Sequence, residues 1–190
     1  MHVVLTVMEN FCAPEKPEFN QYWYSPSTIK TIIDEVEALK PLRTAFLSTP
    51  SLFAEASRRA LSCDLFDIDQ TAFACKSSFN HFIRYDFHEP DIPREQRSMY
   101  DVVVIDPPFV TRDVLEAYGV TTKQLLHRGG RIMITTLAEN AGDLIKIFDD
   151  RMLPVEFKPS IPHLVYQYNL FVNYTPTLVS GFTKVNSEVY

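Results

Sequence analysis

Three cysteines in 190 residues, Cys12, Cys63 and Cys75, leave little for covalent or metal chemistry. Their number is odd and no C-x-x-C spacing occurs, which argues against a disulfide frame and a zinc site and for a reducing compartment. Long apolar runs are missing too: nothing approaches the roughly 18 residues a membrane helix needs. The opening "MHVVLTVMENF" has no basic stretch and too short an apolar segment for a secretory leader, so a cytoplasmic protein is expected. Positive charge is scarce, with 18 Lys and Arg against 24 Asp and Glu and a formal charge of -6. Nucleic acid is bound through clustered cations, and only Arg58-Arg59 and Arg128 offer any; a solvated helix end or face accounts for them more simply. Neither an internal repeat nor a low-complexity tract is present.

What is present is an ordinary globular composition, 46% hydrophobic and 22% charged, of a size that fills one domain. Pro14 and Pro17 interrupt the first 20 residues, which read as an N-terminal extension, and residues 177–190 read as a tail, leaving a domain over 21–176. "SPSTIKTIIDEVEALK" predicts a helix, with Ser25 as N-cap, Pro26 at its first position and Ile29, Ile32, Ile33, Val36 and Leu39 on one face. "TAFLST" (44–49) predicts a strand, "PSLFAEASRRALS" a helix with Thr49 as cap, "CDLFDID" (63–69) a second strand and "HFIRYDF" (81–87) a third. "DVVVID" (101–106) is the fourth. A helical patch around "TTKQLLHRGG", stopped by Gly129, leads to a fifth strand, "RIMITT" (131–136). A helix over "AGDLIKIFDD" and strands over "PVEFKPS" and "YQYNLFVNY" complete the pattern.

Alternating strands and helices imply an α/β fold whose mainly parallel sheet has helices on both faces, and ligands of such sheets bind at the carboxyl ends of the strands. Those ends read "STPSL", "DID", "YD" and "DPPF". Each alone has a plainer reading as a turn, a cap or a solvated acid. Together, acids after three successive strands converge on one crevice, where a ligand rich in hydroxyl and amine donors would compensate them. Asp67 or Asp69 suits a ribose diol, and Asp86 suits an exocyclic adenine amine. Asp106 is held by Pro107 and Pro108, which fix φ and remove backbone donors, so the carboxylate and the Pro107 carbonyl form a patch of acceptors. With the flat ring of Phe109 beside it, the tetrapeptide reads as a clamp for an amine about to react, its carboxylate facing solvent or ligand.

A D/N-P-P-Y/F run after the fourth strand resembles the motif of class I methyltransferases that modify amino nitrogens. The wider set "NQYWYS", "LSTPSLF", "FDID", "FIRYDFHEP", "YDVVVIDPPFV" and "QYNLFVNY", in this order, resembles the eukaryotic elongation factor 1A lysine methyltransferase 1 family, formerly described as N6-adenine methyltransferase-like. The resemblance runs from about Gln21 to Tyr174 and implies a single Rossmann-like domain with a seven-stranded sheet. It implies S-adenosylmethionine as cofactor, held by Ser48, Thr49, Pro50, Ser51, Asp67, Asp69, Asp86, Phe87 and Asp106. Asp106, Pro107, Pro108 and Phe109 are then the catalytic set, and Tyr22, Trp23, Tyr24 and Phe109 bind substrate, with no metal. One departure from the superfamily stands out: "STPSLF" occupies the place of a glycine-rich loop, a substitution that this family shares.

The first expectation is therefore a cytoplasmic protein-lysine methyltransferase with elongation factor 1A as partner. The rivals are an adenine-N6 methyltransferase of RNA or DNA, in which Phe109 stacks on an extruded base, and a catalytically silent partner protein. Acidity and the lack of room for a target-recognition domain speak against the first rival, and the intact tetrapeptide speaks against the second.

Overall fold

Ser25 and Pro26 start the first helix as their chemistry requires. The Ser25 hydroxyl accepts the Thr28 N–H at 3.3 Å and Pro26 sits at the first turn of α1 (Pro26–Ala38), which buries Ile29, Ile32, Ile33 and Val36. The computed structural model describes residues 14–73, 82–162, 164–182 and 186. The strands are β1 (Thr44–Leu47), β2 (Cys63–Asp67), β3 (Phe82–Arg84), β4 (Tyr100–Ile105), β5 (Leu126–Thr136), β6 (Leu153–Pro154) and β7 (Asn169–Val172). They form one seven-stranded sheet in the order β3-β2-β1-β4-β5-β7-β6. The first five are parallel, and β7 runs antiparallel to β5 and β6.

The two-residue period of the strands divides the core. Phe46, Leu65, Val102 and Val104 face α1 and α2 (Pro50–Arg58), while Leu47, Phe66, Val103 and Ile105 face α3 (Arg112–Leu125) and α4 (Ala141–Ile147). Helices thus cover both faces, and the winding reverses between β1 and β4, where a crevice opens at the carboxyl ends. Among the described residues no helix is long and apolar enough to cross a membrane.

Several expected boundaries are corrected. The helix before the fifth strand is α3, which begins at Arg112 and ends at Leu125; the chain extends at once into β5, and Gly129 stops no helix. Leu126 pairs with Tyr100 and Arg131 with Val102, so residues 127–130 bulge opposite Asp101, and Gly129 supplies the φ of +83° this needs. The second strand ends at Asp67, two residues earlier than expected, and the strand expected over "PVEFKPS" is only Leu153–Pro154. Thr49 precedes α2 without a capping bond. His81, expected to open the third strand, lies outside the described residues, as do Cys12 and Cys75.

Both flanks engage the domain. Residues 14–21 form a short strap: Lys16 and Gln21 exchange backbone hydrogen bonds around a single 3-10 turn at Pro17–Phe19. At the other end, the buried Glu35 carboxylate accepts the N–H groups of Thr177 and Leu178, both at 2.7 Å, and Phe182 stacks on Phe157.

Candidate active site

Four strand ends and the strap enclose one cleft of about 250 Å3. After β1 come Ser48, Thr49, Pro50 and Ser51, which bend the chain into α2 and line one wall. Thr49 is 1% exposed, and its hydroxyl has no hydrogen-bond partner among the described residues. It lies where the first N–H groups of α2 also lack intrahelical acceptors, so this corner offers several donors to an anion. A carboxylate such as the one S-adenosylmethionine carries fits it.

Asp67 ends β2 at the next wall. Burial pushes its carboxyl up to about 7, against the opposing hydrogen bond from the Asp69 N–H at 2.8 Å. A desolvated carboxylate facing a cleft is an acceptor in want of donors, which a ribose diol has. Asp69 behaves differently. It does not line the cleft; Lys16 pairs with it at 2.8 Å and Thr71 donates to it, and these contacts outweigh burial and hold its carboxyl below the usual range. The structure therefore separates two acids that the sequence left as equals: Asp67 lines the cleft and Asp69 does not.

Asp86 and Phe87 follow β3 into the cleft. The His88 N–H and ring Nδ1 both engage Asp86, at 3.0 and 2.8 Å, and hold its carboxyl low. Phe87 meets Phe109 edge to face at 6.3 Å. After β4, Asp106, Pro107, Pro108 and Phe109 form the floor, with Phe109 half exposed at the mouth. Asn20 of the strap donates to the Pro108 carbonyl and so ties the strap to this floor.

Asp106 lines the cleft, the ligand side of what was expected, but neighbours that the sequence did not indicate hold its carboxylate there. Burial pushes it up to about 6, and Thr135 and Tyr24 oppose this by hydrogen bonding it, Thr135 at 2.7 Å. Tyr22, Trp23 and Tyr24 line the cleft as expected, yet the Tyr24 hydroxyl is directed to Thr135, also at 2.7 Å. Sequence reasoning missed Thr135, Asn20, Tyr118 and Tyr168. Thr135 had a usable signal, since it stands at the end of the fifth strand as the other site residues stand at theirs. Tyr118 had none: it lies within α3, and only the packing brings its hydroxyl to Ser48, at 2.6 Å.

A seven-stranded sheet of this order, with an acid after β2 and Asp-Pro-Pro-Phe after β4 on one cleft, defines a Rossmann-like methyltransferase. The chain belongs to the family described as "Probable N6-adenine methyltransferase", which it matches over residues 15–176. Among solved structures it is similar to a candidate RNA methyltransferase from Pyrococcus horikoshii, with a TM-score of 0.60 at 13% identity over 89% of this chain and 94% of that one. The ribosomal protein L11 methylase of Lactobacillus delbrueckii has a TM-score of 0.52 at 12% identity, covering 80% of each chain. At this identity both speak for the fold alone. In sequence, the chain is 28% identical to EEF1A lysine methyltransferase 1 of Homo sapiens over 88% of its own length and 78% of the relative's. It is 29% identical to the protein of the same name in Danio rerio, over 85% and 99%, and 25% identical to a protein-lysine N-methyltransferase of Dictyostelium discoideum, over 90% and 82%.

Proposed function

We propose that the protein is a cytoplasmic S-adenosylmethionine-dependent protein-lysine N-methyltransferase whose acceptor is translation elongation factor 1A. The observation that carries the reading is the Asp106 carboxylate, desolvated at the floor of a cleft walled by Tyr22, Trp23, Tyr24 and Phe109. A partly buried carboxylate that lines a cleft is matched by an N–H-bearing group, and an aromatic wall suits the alkyl stem of a lysine. The names of the sequence relatives point to the same acceptor.

Ser48, Thr49, Ser51 and Asp67 would hold S-adenosylmethionine, which would supply a methyl on cationic sulfur for the amine lone pair to take, the C–S pair returning to sulfur and the amine's proton going to water. The residues contribute orientation and exclusion of water. A free lysine at pKa about 10.4 costs roughly 4.6 kcal/mol to deprotonate at pH 7. Burial against Phe109, Tyr22 and Trp23 lowers that cost, as does a neighbouring cation, whereas an ionised Asp106 raises it. Asp106 therefore orients the amine rather than deprotonating it. The second reading, an adenine acceptor, draws on the half-exposed Phe109 ring, to which a flat base could stack over the same carboxylate.

The test is methyl transfer from radiolabelled S-adenosylmethionine to purified elongation factor 1A and, separately, to total RNA. We expect label on the protein, none on its Lys→Arg variant at the modified site, and a rate that climbs between about pH 7 and 9 as the amine loses its proton. A pH-flat rate with label in nuclease-sensitive, strongly salt-dependent material would replace lysine by adenine.

A further inference from the structure

We infer that Thr135, with Tyr24 behind it, is a positioning residue for methyl transfer: the two hydroxyls fix the Asp106 carboxylate so that its remaining acceptor capacity faces the cleft. The inference rests on the reading of Asp106 as the group that holds the acceptor amine. Thr135 lies on β5, next to β4 in the sheet, and Tyr24 comes from the segment between the strap and α1, so three separate parts of the chain meet at one carboxylate.

The hydrogens can be assigned by count. Thr135 has one hydroxyl hydrogen, and with the Asp106 Oδ1 at 2.7 Å it commits that hydrogen to the carboxylate. Its oxygen then becomes an acceptor, so the Tyr24 hydroxyl at 2.7 Å gives its single hydrogen to Thr135 and acts on the carboxylate through it. Thr135 and Tyr24 are each 2% exposed, so neither has water as an alternative partner. A carboxylate bound in this way cannot rotate freely about its Cβ–Cγ bond, and the lone pairs left unused are those toward the ligand space. Orientation of this kind matters because in-line displacement tolerates little misplacement of the nucleophile.

Donation also keeps the acid an acceptor. Burial drives Asp106 toward its neutral form, and both hydroxyls oppose it. The other ionisable groups that feel its charge are Tyr118 of α3 and Tyr168 from the connection before β7, whose hydroxyls it pushes upward along with that of Tyr24. These tyrosines are neutral at physiological pH, so they supply no cation to hold the carboxylate ionised. Without the Thr135 hydrogen bond and the Tyr24 hydroxyl behind it, the carboxyl would take up its proton nearer pH 7 and lose half of its capacity to accept an N–H.

The test follows the Asp106 carboxyl by carbon NMR across pH in the full chain, beside single-turnover methyl transfer to elongation factor 1A. Thr135→Val, which keeps the shape and deletes the hydroxyl, is expected to raise the Asp106 midpoint by about one pH unit and to slow transfer about 10- to 100-fold. Its S-adenosylmethionine affinity should change by less than about threefold, and Thr135→Ser should restore both midpoint and rate. A purely structural threonine would leave the midpoint in place, and an unmoved midpoint in a folded, active Thr135→Val overturns the inference while leaving the lysine reading intact. If Thr135→Val does not fold, Tyr24→Phe carries the same expectation with a smaller shift, and an unmoved midpoint there overturns it equally. A shifted midpoint in a protein that methylates neither elongation factor 1A nor RNA would instead overturn the proposed function and leave the coupling standing.

Discussion

Replacing Asp67 by asparagine should strengthen the fold and weaken the site at once. The oxygen of the introduced amide can still accept the Asp69 N–H, so the local turn survives, but the ionisable group is gone. In the native protein the Asp67 carboxyl rises from 3.8 to about 7, chiefly through burial. An acid whose pKa is raised by folding stabilises the fold fully only below its unfolded pKa; that contribution is lost as pH climbs toward the folded value, here between about 4 and 7. Roughly three pH units at about 1.4 kcal/mol each give a total near 4 kcal/mol, of which about 2.5 kcal/mol falls between pH 5 and 7.5. Urea unfolding of both proteins at these two pH values isolates the effect, because every other titrating group is common to them. The stability gained by Asp67→Asn should be larger at pH 7.5 than at pH 5 by about that amount. Calorimetry with S-adenosylmethionine at pH 7.5 should show the variant binding weaker by about 1.5–3 kcal/mol, the range for a lost charge-assisted hydrogen bond. Equal pH slopes would refute the desolvation argument, and equal affinities would remove Asp67 from the ribose.

Two further outcomes separate site from scaffold. Lys16→Met leaves the Asp69 side chain, 3% exposed, without its cation, and should cost about 2 kcal/mol at pH 7, less than a fully buried pair because Lys16 is partly solvated. Since folding lowers the Asp69 pKa, the difference in urea midpoint between this variant and the native protein should shrink as pH falls below about 4. Arg43→Met strips the buried Asp64 of its guanidinium partner at 2.6 Å at the amino end of the strands, where Tyr100 also donates at 2.7 Å. It should destabilise by about 3 kcal/mol, yet leave S-adenosylmethionine affinity unchanged in calorimetry on the folded fraction, because the cleft lies at the opposite end of the sheet.

Much of this arrangement was legible because it rests on local chemistry. Ser25-Pro26 declares a helix start, Val102 to Ile105 declares a buried strand, and the rule that ligands meet strand ends leads directly to Asp67, Asp86 and Asp106. What stayed hidden depends on partners distant in sequence. Leu125-Leu126-His127-Arg128-Gly129 reads as a helix running to a glycine stop, and only the pairing of Leu126 with Tyr100 turns it into a strand with a bulge. Asp67 and Asp69 share a face at strand spacing, and only Lys16, in a segment that reads as an extension, takes Asp69 out of the site. The Thr135 hydroxyl reveals itself through Asp106, 29 residues away.

The missing glycine loop has a physical resolution in the turn after β1. Ser48 adopts the left-handed region itself, at φ +57°, a conformation that costs a non-glycine residue roughly 1–2 kcal/mol. Two contacts offset that cost: its N–H donates to the Phe66 carbonyl at 2.8 Å, and its hydroxyl meets Tyr118 at 2.6 Å, each worth about 1 kcal/mol. The chain is then aimed into Pro50, whose fixed φ starts α2 without a capping side chain. Because Thr49 is not consumed as a cap, its buried hydroxyl remains for a ligand. A glycine loop would admit a ligand by offering bare backbone; this one keeps its side chains, and in place of close backbone approach the braced turn holds a buried hydroxyl beside the helix terminus.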